Sequence, residues 1–101
     1  MADNGNTKPG YIDDKQGLAR RLSRIEGQVR GVRGMVESEA YCIDVVTQIA
    51  AITSALDGVA LKLVEDHTNH CVRDALQEGG AEAETKVEEL LATVERFART
   101  R

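Results

Sequence analysis

The sequence predicts an all-α domain of three or four helices joined by short connections, and three observations carry that reading. Apolar residues recur at the alternating four-and-three spacing of a helix face, held over nearly three heptads in the first half of the chain. No segment alternates apolar and polar residues with the period of two that a half-buried strand requires. The core has to be aliphatic: hydrophobic residues make up 42% of the chain, yet Tyr11, Tyr41 and Phe97 are its only aromatics, which leaves Leu, Ile, Val and Ala to pack helix on helix. With 101 residues there is room for one domain and one core per protomer.

Residues 1–16 are rich in Asn, Asp, Lys and Gly and show no periodicity, so they are expected to form a disordered tail, with residues 17–101 as the folded domain. The first helix is marked by Leu18, Leu22, Ile25, Val29, Val32 and Val36. Gly27, Gly31 and Gly34 lie within it, each costing roughly 1 kcal/mol relative to Ala, which points to close approach of another backbone or to a helix that depends on tertiary packing. Ser38 and Glu39 break the pattern. It resumes with Val45, Val46, Ile49, Ile52, Leu56, Val59 and Leu63 up to about Asp66, with Gly58 as a possible bend. A third, shorter stretch is expected through Cys71 to Gln77, ended by Gly79 and Gly80, a pair suited to a C-terminal cap. The last helix sets Val87, Leu90, Leu91, Val94 and Phe97 against Glu82, Glu84, Glu88, Glu89 and Glu95. Apolar seams this long on so short a chain point to burial against other chains, the alternative being a monomeric three-helix bundle.

The N-terminal residues do not resemble a signal peptide, and nowhere do 18 consecutive apolar residues occur, so a soluble, cytoplasmic protein without a membrane partner is expected. In a reducing cytosol Cys42 and Cys71 are better suited to metal binding or redox chemistry than to a structural disulfide, with inert buried thiols as the alternative. The net charge of −4 is unevenly distributed: residues 1–37 carry seven Lys/Arg against five Asp/Glu, and residues 38–101 six against twelve. A basic face can therefore coexist with an acidic whole. Two histidines, no well-placed Ser or Asp and no phosphate-cradling Gly-rich loop leave little for catalysis, so the protein is not expected to be an enzyme.

His67 and Cys71 are four residues apart and share a face if helix continues between them. Cys42 precedes His67 by 25 residues, roughly 38 Å along a continuous helix. The three cannot share an ion within one straight helix. An antiparallel partner would bring the Cys42 end of one protomer beside the His67 end of the other, giving two equivalent intersubunit sites. A sharp bend at Gly58 would instead make the site intramolecular. Two thiolates and an imidazole form a soft donor set, suited to Cu(I) with three ligands or Zn(II) with a fourth. His70 points about 100° away from Cys71 and reads as solvated.

Between Gly17 and Val36, Arg20, Arg21 and Arg24, with Arg30 and Arg33 further on, place basic groups along the first helix against Glu26 alone. Guanidinium groups fork onto phosphate oxygens, and a symmetric oligomer would multiply such a face into a broad positive surface. The alternative is a solvated face balanced by glutamates elsewhere. No helix-turn-helix pattern is present.

The run Arg20-Arg21-Leu22, Arg24-Ile25-Glu26-Gly27-Gln28, Tyr41-Cys42, Asp44-Val45, Thr47-Gln48, followed by His67 and Cys71, resembles the copper-sensing repressor family, often called CsoR-type, from about Gly17 to Phe97. The resemblance implies a three-helix protomer with a short C-terminal helical stretch, an antiparallel dimer with a four-helix-bundle core, and a disc-like tetramer built as a dimer of dimers. It implies a repressor that binds operator DNA without metal, is released by Cu(I), and controls copper-efflux genes. It also implies that Cys42, His67 and Cys71 are the Cu(I) ligands, that Tyr41 and Glu89 support them, and that Arg21 contacts DNA. A second basic position of some members falls here on Gly58, with Lys62 the nearest substitute, so Arg20, Arg21, Arg24 and Lys62 are the candidate DNA contacts.

Ligand chemistry separates the relatives. Nickel and cobalt sensors resembling this chain carry a histidine where Cys71 stands and use an N-terminal histidine absent here. Persulfide sensors lack the ligand histidine that His67 matches, and formaldehyde sensors carry proline where Ala2 stands. Copper is the best fit. A persulfide or thiol-reactive sensor of the same superfamily, and a cytosolic copper- or zinc-binding oligomer without DNA activity, are the alternatives.

Overall fold

The computed structural model describes residues 9–99, all of whose regular structure is helical. Ile12 N–H donates to Pro9 O at 3.1 Å and leads into a 3-10 turn, Ile12–Asp14. α1 follows as Lys15–Glu37. Helix therefore begins inside the segment expected to be a tail, because a turn this short leaves no periodic signature; residues 1–8 lie outside the described residues.

Of the seam predicted for α1, Leu18 and Ile25 are buried, whereas Leu22, Val29 and Val36 remain 43%, 52% and 60% exposed. The helix ends in a Schellman motif: Ala40 N–H reaches Met35 O at 2.9 Å and Glu39 N–H reaches Val36 O at 3.1 Å. Both bonds satisfy carbonyls that the last turn would leave without partners. The motif needs a left-handed residue, and Glu39 supplies it at φ 61°.

α2 spans Cys42–His67, and Tyr41 O accepts its first backbone bond from Val45 N–H at 3.2 Å. Asp44 in the first turn suits the positive end of the helix dipole. Gly58 does not interrupt the helix. Beyond His67 the chain stays helical through a π-helical turn, Thr68–Val72, and α3, Arg73–Glu78, so the expected third stretch continues α2 as one 37-residue helix, Cys42–Glu78. Gly79 (φ 77°, ψ −171°) ends it, its N–H bonded to Ala75 O at 2.9 Å. This backbone conformation is open essentially to glycine alone. α4 then runs Gly80–Arg99.

The chain divides into two compact units. In one, Asp14–Lys62, α1 meets α2 through Leu22, Ile25 and Val29 with Leu56. The other joins the described part of Met1–Asp13 to Leu63–Arg101. There α4 packs on α3 and the π turn, burying Val72, Ala75 and Ala83. Leu91 and Val94, expected on the apolar side of α4, are exposed, and among the described residues no large side chain is fully buried. Along α2, Ile43, Val46 and Ile49 are 59%, 59% and 46% exposed. By length and composition Cys42–Glu78 is apolar enough to cross a membrane, yet Asp57, Lys62, Glu65 and Asp66 stand near its middle. Charges at a bilayer centre cost about 2.5–3.5 kcal/mol each, so its apolar stripe is better suited to another helix.

Candidate metal centre and basic face

Two ends of α2 carry the candidate donors. Cys42 is its first residue and His67 its last. Cys42 is exposed, Cys71 is half-buried, and neither is in a disulfide. Tyr41, just before the helix, is exposed, His67 is half-buried, and His70 is exposed.

Helix does continue between His67 and Cys71, but as a π turn rather than the α-helix assumed from their spacing. Arg73 N–H donates to Thr68 O, five residues back, so the turn holds one residue more than an α turn. Such turns are rare and gather at functional sites. Thr68 Oγ1 donates to Val64 O at 2.8 Å, where side-chain bonding competes with the backbone ladder as the helix widens. The widening rotates Cys71 relative to His67 while keeping the two about one turn apart.

α4 contributes the next group. His67 and Glu89 line one cleft of about 450 Å³, together with Leu63, Val64, Leu90 and Thr93. Glu89 Oε1 lies 3.8 Å from Lys86 Nζ, and Thr93 Oγ1 donates to Glu89 O at 2.9 Å. The structure thus brings Glu89 to the His67 end of α2. Pro9, Gly10 and Tyr11 form the remaining wall, a contribution that sequence reasoning missed. Gly10 presses so closely on the Asp66 carbonyl that a Cβ there would collide with it. The Pro9-Gly10 pair was the available signal, since this dipeptide marks turns.

Among the described residues, no three His, Cys, Asp or Glu side chains of one chain converge into a metal-holding group. His67 and Cys71 offer one imidazole and one thiol a turn apart, and Cys42 an exposed thiol. Two thiolates and an imidazole fit a soft ion.

The basic candidates lie in the other unit. Arg20, Arg21 and Arg24 are exposed on α1, and Lys62 is half-buried on α2. Arg21 Nη2 lies 3.3 Å from the position a Cβ would take on Gly58, one turn before Lys62, so the structure brings Arg21 onto α2. Arg33, by contrast, pairs with Glu37 at 3.2 Å on an exposed helix face.

Residues 14–96 match the model of the metal-sensitive transcriptional repressor family. The chain is 50% identical over 91 residues to the copper-sensing transcriptional repressor RicR of Mycobacterium tuberculosis, covering 90% of this chain and 95% of the relative. It is 45% identical over 87 residues to the copper-sensing transcriptional repressor CsoR of Bacillus subtilis, covering 86% and 84%. The crystal structure of the copper-sensing repressor CsoR with Cu(I) from Geobacillus thermodenitrificans superposes with a TM-score of 0.80 at 44% identity, over 97% of this chain and 94% of the other. The nickel-responsive transcriptional regulator InrS superposes at 0.71, also at 44% identity, over 81% and 90%. An all-α chain with this arrangement of helices and this extent of likeness belongs to the metal-sensitive transcriptional repressor family, in its CsoR-type branch.

Proposed function

We propose that the protein is a Cu(I)-responsive repressor that binds operator DNA in the metal-free form and releases it on binding copper, controlling copper-efflux or resistance genes in the cytoplasm. The observation that carries this reading is the division of the soft donors between the two ends of α2, Cys42 at one and the His67–Cys71 pair at the other. Since α2 is not interrupted at Gly58, a three-donor site draws Cys42 from a second protomer. The exposed stripe of Ile43, Val46 and Ile49, adjoining Cys42, gives antiparallel helices a surface to pair on. An antiparallel dimer holds two such sites, and a dimer of dimers multiplies the arginine face; the protein needs no membrane partner.

Cu(I), when bound, would supply a soft acceptor for donors drawn from two chains. The protein's own residues do the rest. Cys42 and Cys71 would hold the ion through thiolates and His67 through one ring nitrogen, and Glu89, which lines the same cleft, would accept a hydrogen bond from the other. Carboxylates in that role orient the ring and raise its basicity. Tyr41 lies next to Cys42 and shields it once the partner chain is seated. Joining the chains at these points biases the assembly away from its DNA-binding arrangement, with couplings of about 1–3 kcal/mol typical of such linkage.

Both copper and nickel regulators superpose on this fold, so the donors decide the metal. A thiol at Cys71 favours Cu(I), as soft thiolate ligands select it. The test is anaerobic Cu(I) titration of the protein bound to DNA from upstream of its own operon. Release near one copper per protomer is expected, and Cys42→Ala should bind DNA yet ignore copper. Release of Cys42→Ala at wild-type copper concentrations would sink the ligand assignment. The exposure of Cys42 favours one second reading, thiol-reactive sensing, which predicts copper binding without release.

A further inference from the structure

Gly58 stands in the interior of α2, where glycine is penalised relative to alanine. Its backbone gives no reason for it, since the positive-φ glycines among the described residues are Gly79 and Gly80. The helix runs through it without a break. What distinguishes Gly58 is its surroundings: a Cβ would stand 3.3 Å from Arg21 Nη2, tighter than ordinary van der Waals contact. The glycines of α1 differ, for Gly31 and Gly34 would meet nothing within 4 Å and Gly27 only Arg30 Nη2 at 3.6 Å. The missing side chain therefore makes a notch on α2, and the guanidinium of α1's Arg21 lies in it.

We propose that Gly58 is the seat of Arg21, holding its guanidinium across α2 so that Arg21 and Lys62 present one basic surface to the phosphate backbone of DNA. This rests on the repressor reading above and adds to it a positioning residue that carries no charge. Arg21 stays exposed in its seat, so its planar donors remain open to phosphate oxygens in the bidentate geometry that arginine favours. A long side chain already confined on a surface loses less freedom when it binds, and preorganisation of this kind is a source of affinity. Lys62 follows Gly58 by four residues, on the same face of α2. A methyl group at position 58 would make the guanidinium give by a few tenths of an ångström, and a larger side chain would displace it farther, leaving its charge intact.

The test separates this from a structural role because the two effects have opposite signs. Metal-free protein is titrated onto a duplex from upstream of its own operon, at several salt concentrations, for wild type, Gly58→Ala, Gly58→Leu, Arg21→Ala and both Gly58 variants in the Arg21→Ala background. Thermal unfolding and Cu(I) competition against a chelator are measured in parallel. Gly58→Ala is expected to unfold at a higher temperature, through its better helix propensity, and yet to bind DNA slightly more weakly, because the methyl group shifts the guanidinium only a little. Gly58→Leu should lose about as much as Arg21→Ala, roughly tenfold or more for a charge-assisted phosphate contact. Both should show a shallower dependence of affinity on salt. In the Arg21→Ala background the Gly58 substitutions should cost nothing further, and Cu(I) affinity should stay at the wild-type value throughout. Wild-type DNA affinity in Gly58→Leu, or an equal loss with and without Arg21, overturns the seat while the repressor reading stands. Failure of the wild-type protein to bind the duplex overturns both.

Discussion

Glu39 closes α1 from the left-handed region at φ 61°, a conformation that strains an L side chain by about 1–2 kcal/mol. The Schellman bonds of Ala40 and Glu39 over-determine the turn, so the strain persists, two residues before Tyr41 and three before Cys42. Replacing Glu39 with glycine removes the strain and restores some unfolded-chain entropy. Glu39→Gly is expected to gain about 0.5–1 kcal/mol, read as a raised urea midpoint at unchanged slope. A lowered midpoint would mean that the Glu39 side chain contributes more than its backbone loses. Glutamate has no preference for such a conformation, so the sequence marked a break at Ser38 and Glu39 but not its left-handed turn; at Gly79 the double glycine marked the cap directly.

At the scale of the element, the end of α2, the π turn and α4 carry the candidate site. The spacing of His67 and Cys71 was legible in the sequence and predicted continuing helix, but the extra residue in the turn was not. Helix periodicity averages over several turns and cannot register one widened turn, set here beside the Thr68-to-Val64 bond. Glu89 reaches the cleft of His67 only because α4 returns beyond Gly79. Its carboxylate also stands within 3.8 Å of Lys86 Nζ, a partly exposed pair of little energetic consequence. Glu89→Gln is therefore expected to leave folding and metal-free DNA affinity unchanged and to weaken Cu(I) binding roughly tenfold or more, the usual effect of losing a carboxylate behind a ligating histidine. Chelator competition measures Cu(I) binding and anisotropy the DNA affinity. Unchanged Cu(I) affinity would remove Glu89 from the site.

On the reading proposed above, the whole molecule is more than one chain. A single chain leaves Val29, Val36, Ile43, Val46 and Leu61 largely exposed and gathers no three-donor group among its described residues, and both deficits have the same remedy in an antiparallel partner. Complementation tests it directly. A Cys42→Ala protomer keeps His67 and Cys71, while a protomer carrying His67→Ala and Cys71→Ala keeps Cys42. Neither alone should bind Cu(I) tightly. After random exchange of subunits, the mixture should recover about one quarter of the wild-type capacity, since half the dimers are mixed and each holds one complete site. No recovery in a mixture shown to exchange would place all the donors within one chain.

By itself the sequence determined the all-helical class, the candidate soft donors and the charge segregation. Those depend on residue identity and on repeats within a few turns, where side-chain spacing and backbone geometry are locked together. Only the tertiary structure decided that Pro9, Gly10 and Tyr11 wall the cleft of His67 with Glu89, that Arg21 lies on Gly58, and which residues of each apolar seam a single chain buries. Those features join residues far apart in the chain. Their proximity follows from how helices pack, which no local pattern encodes.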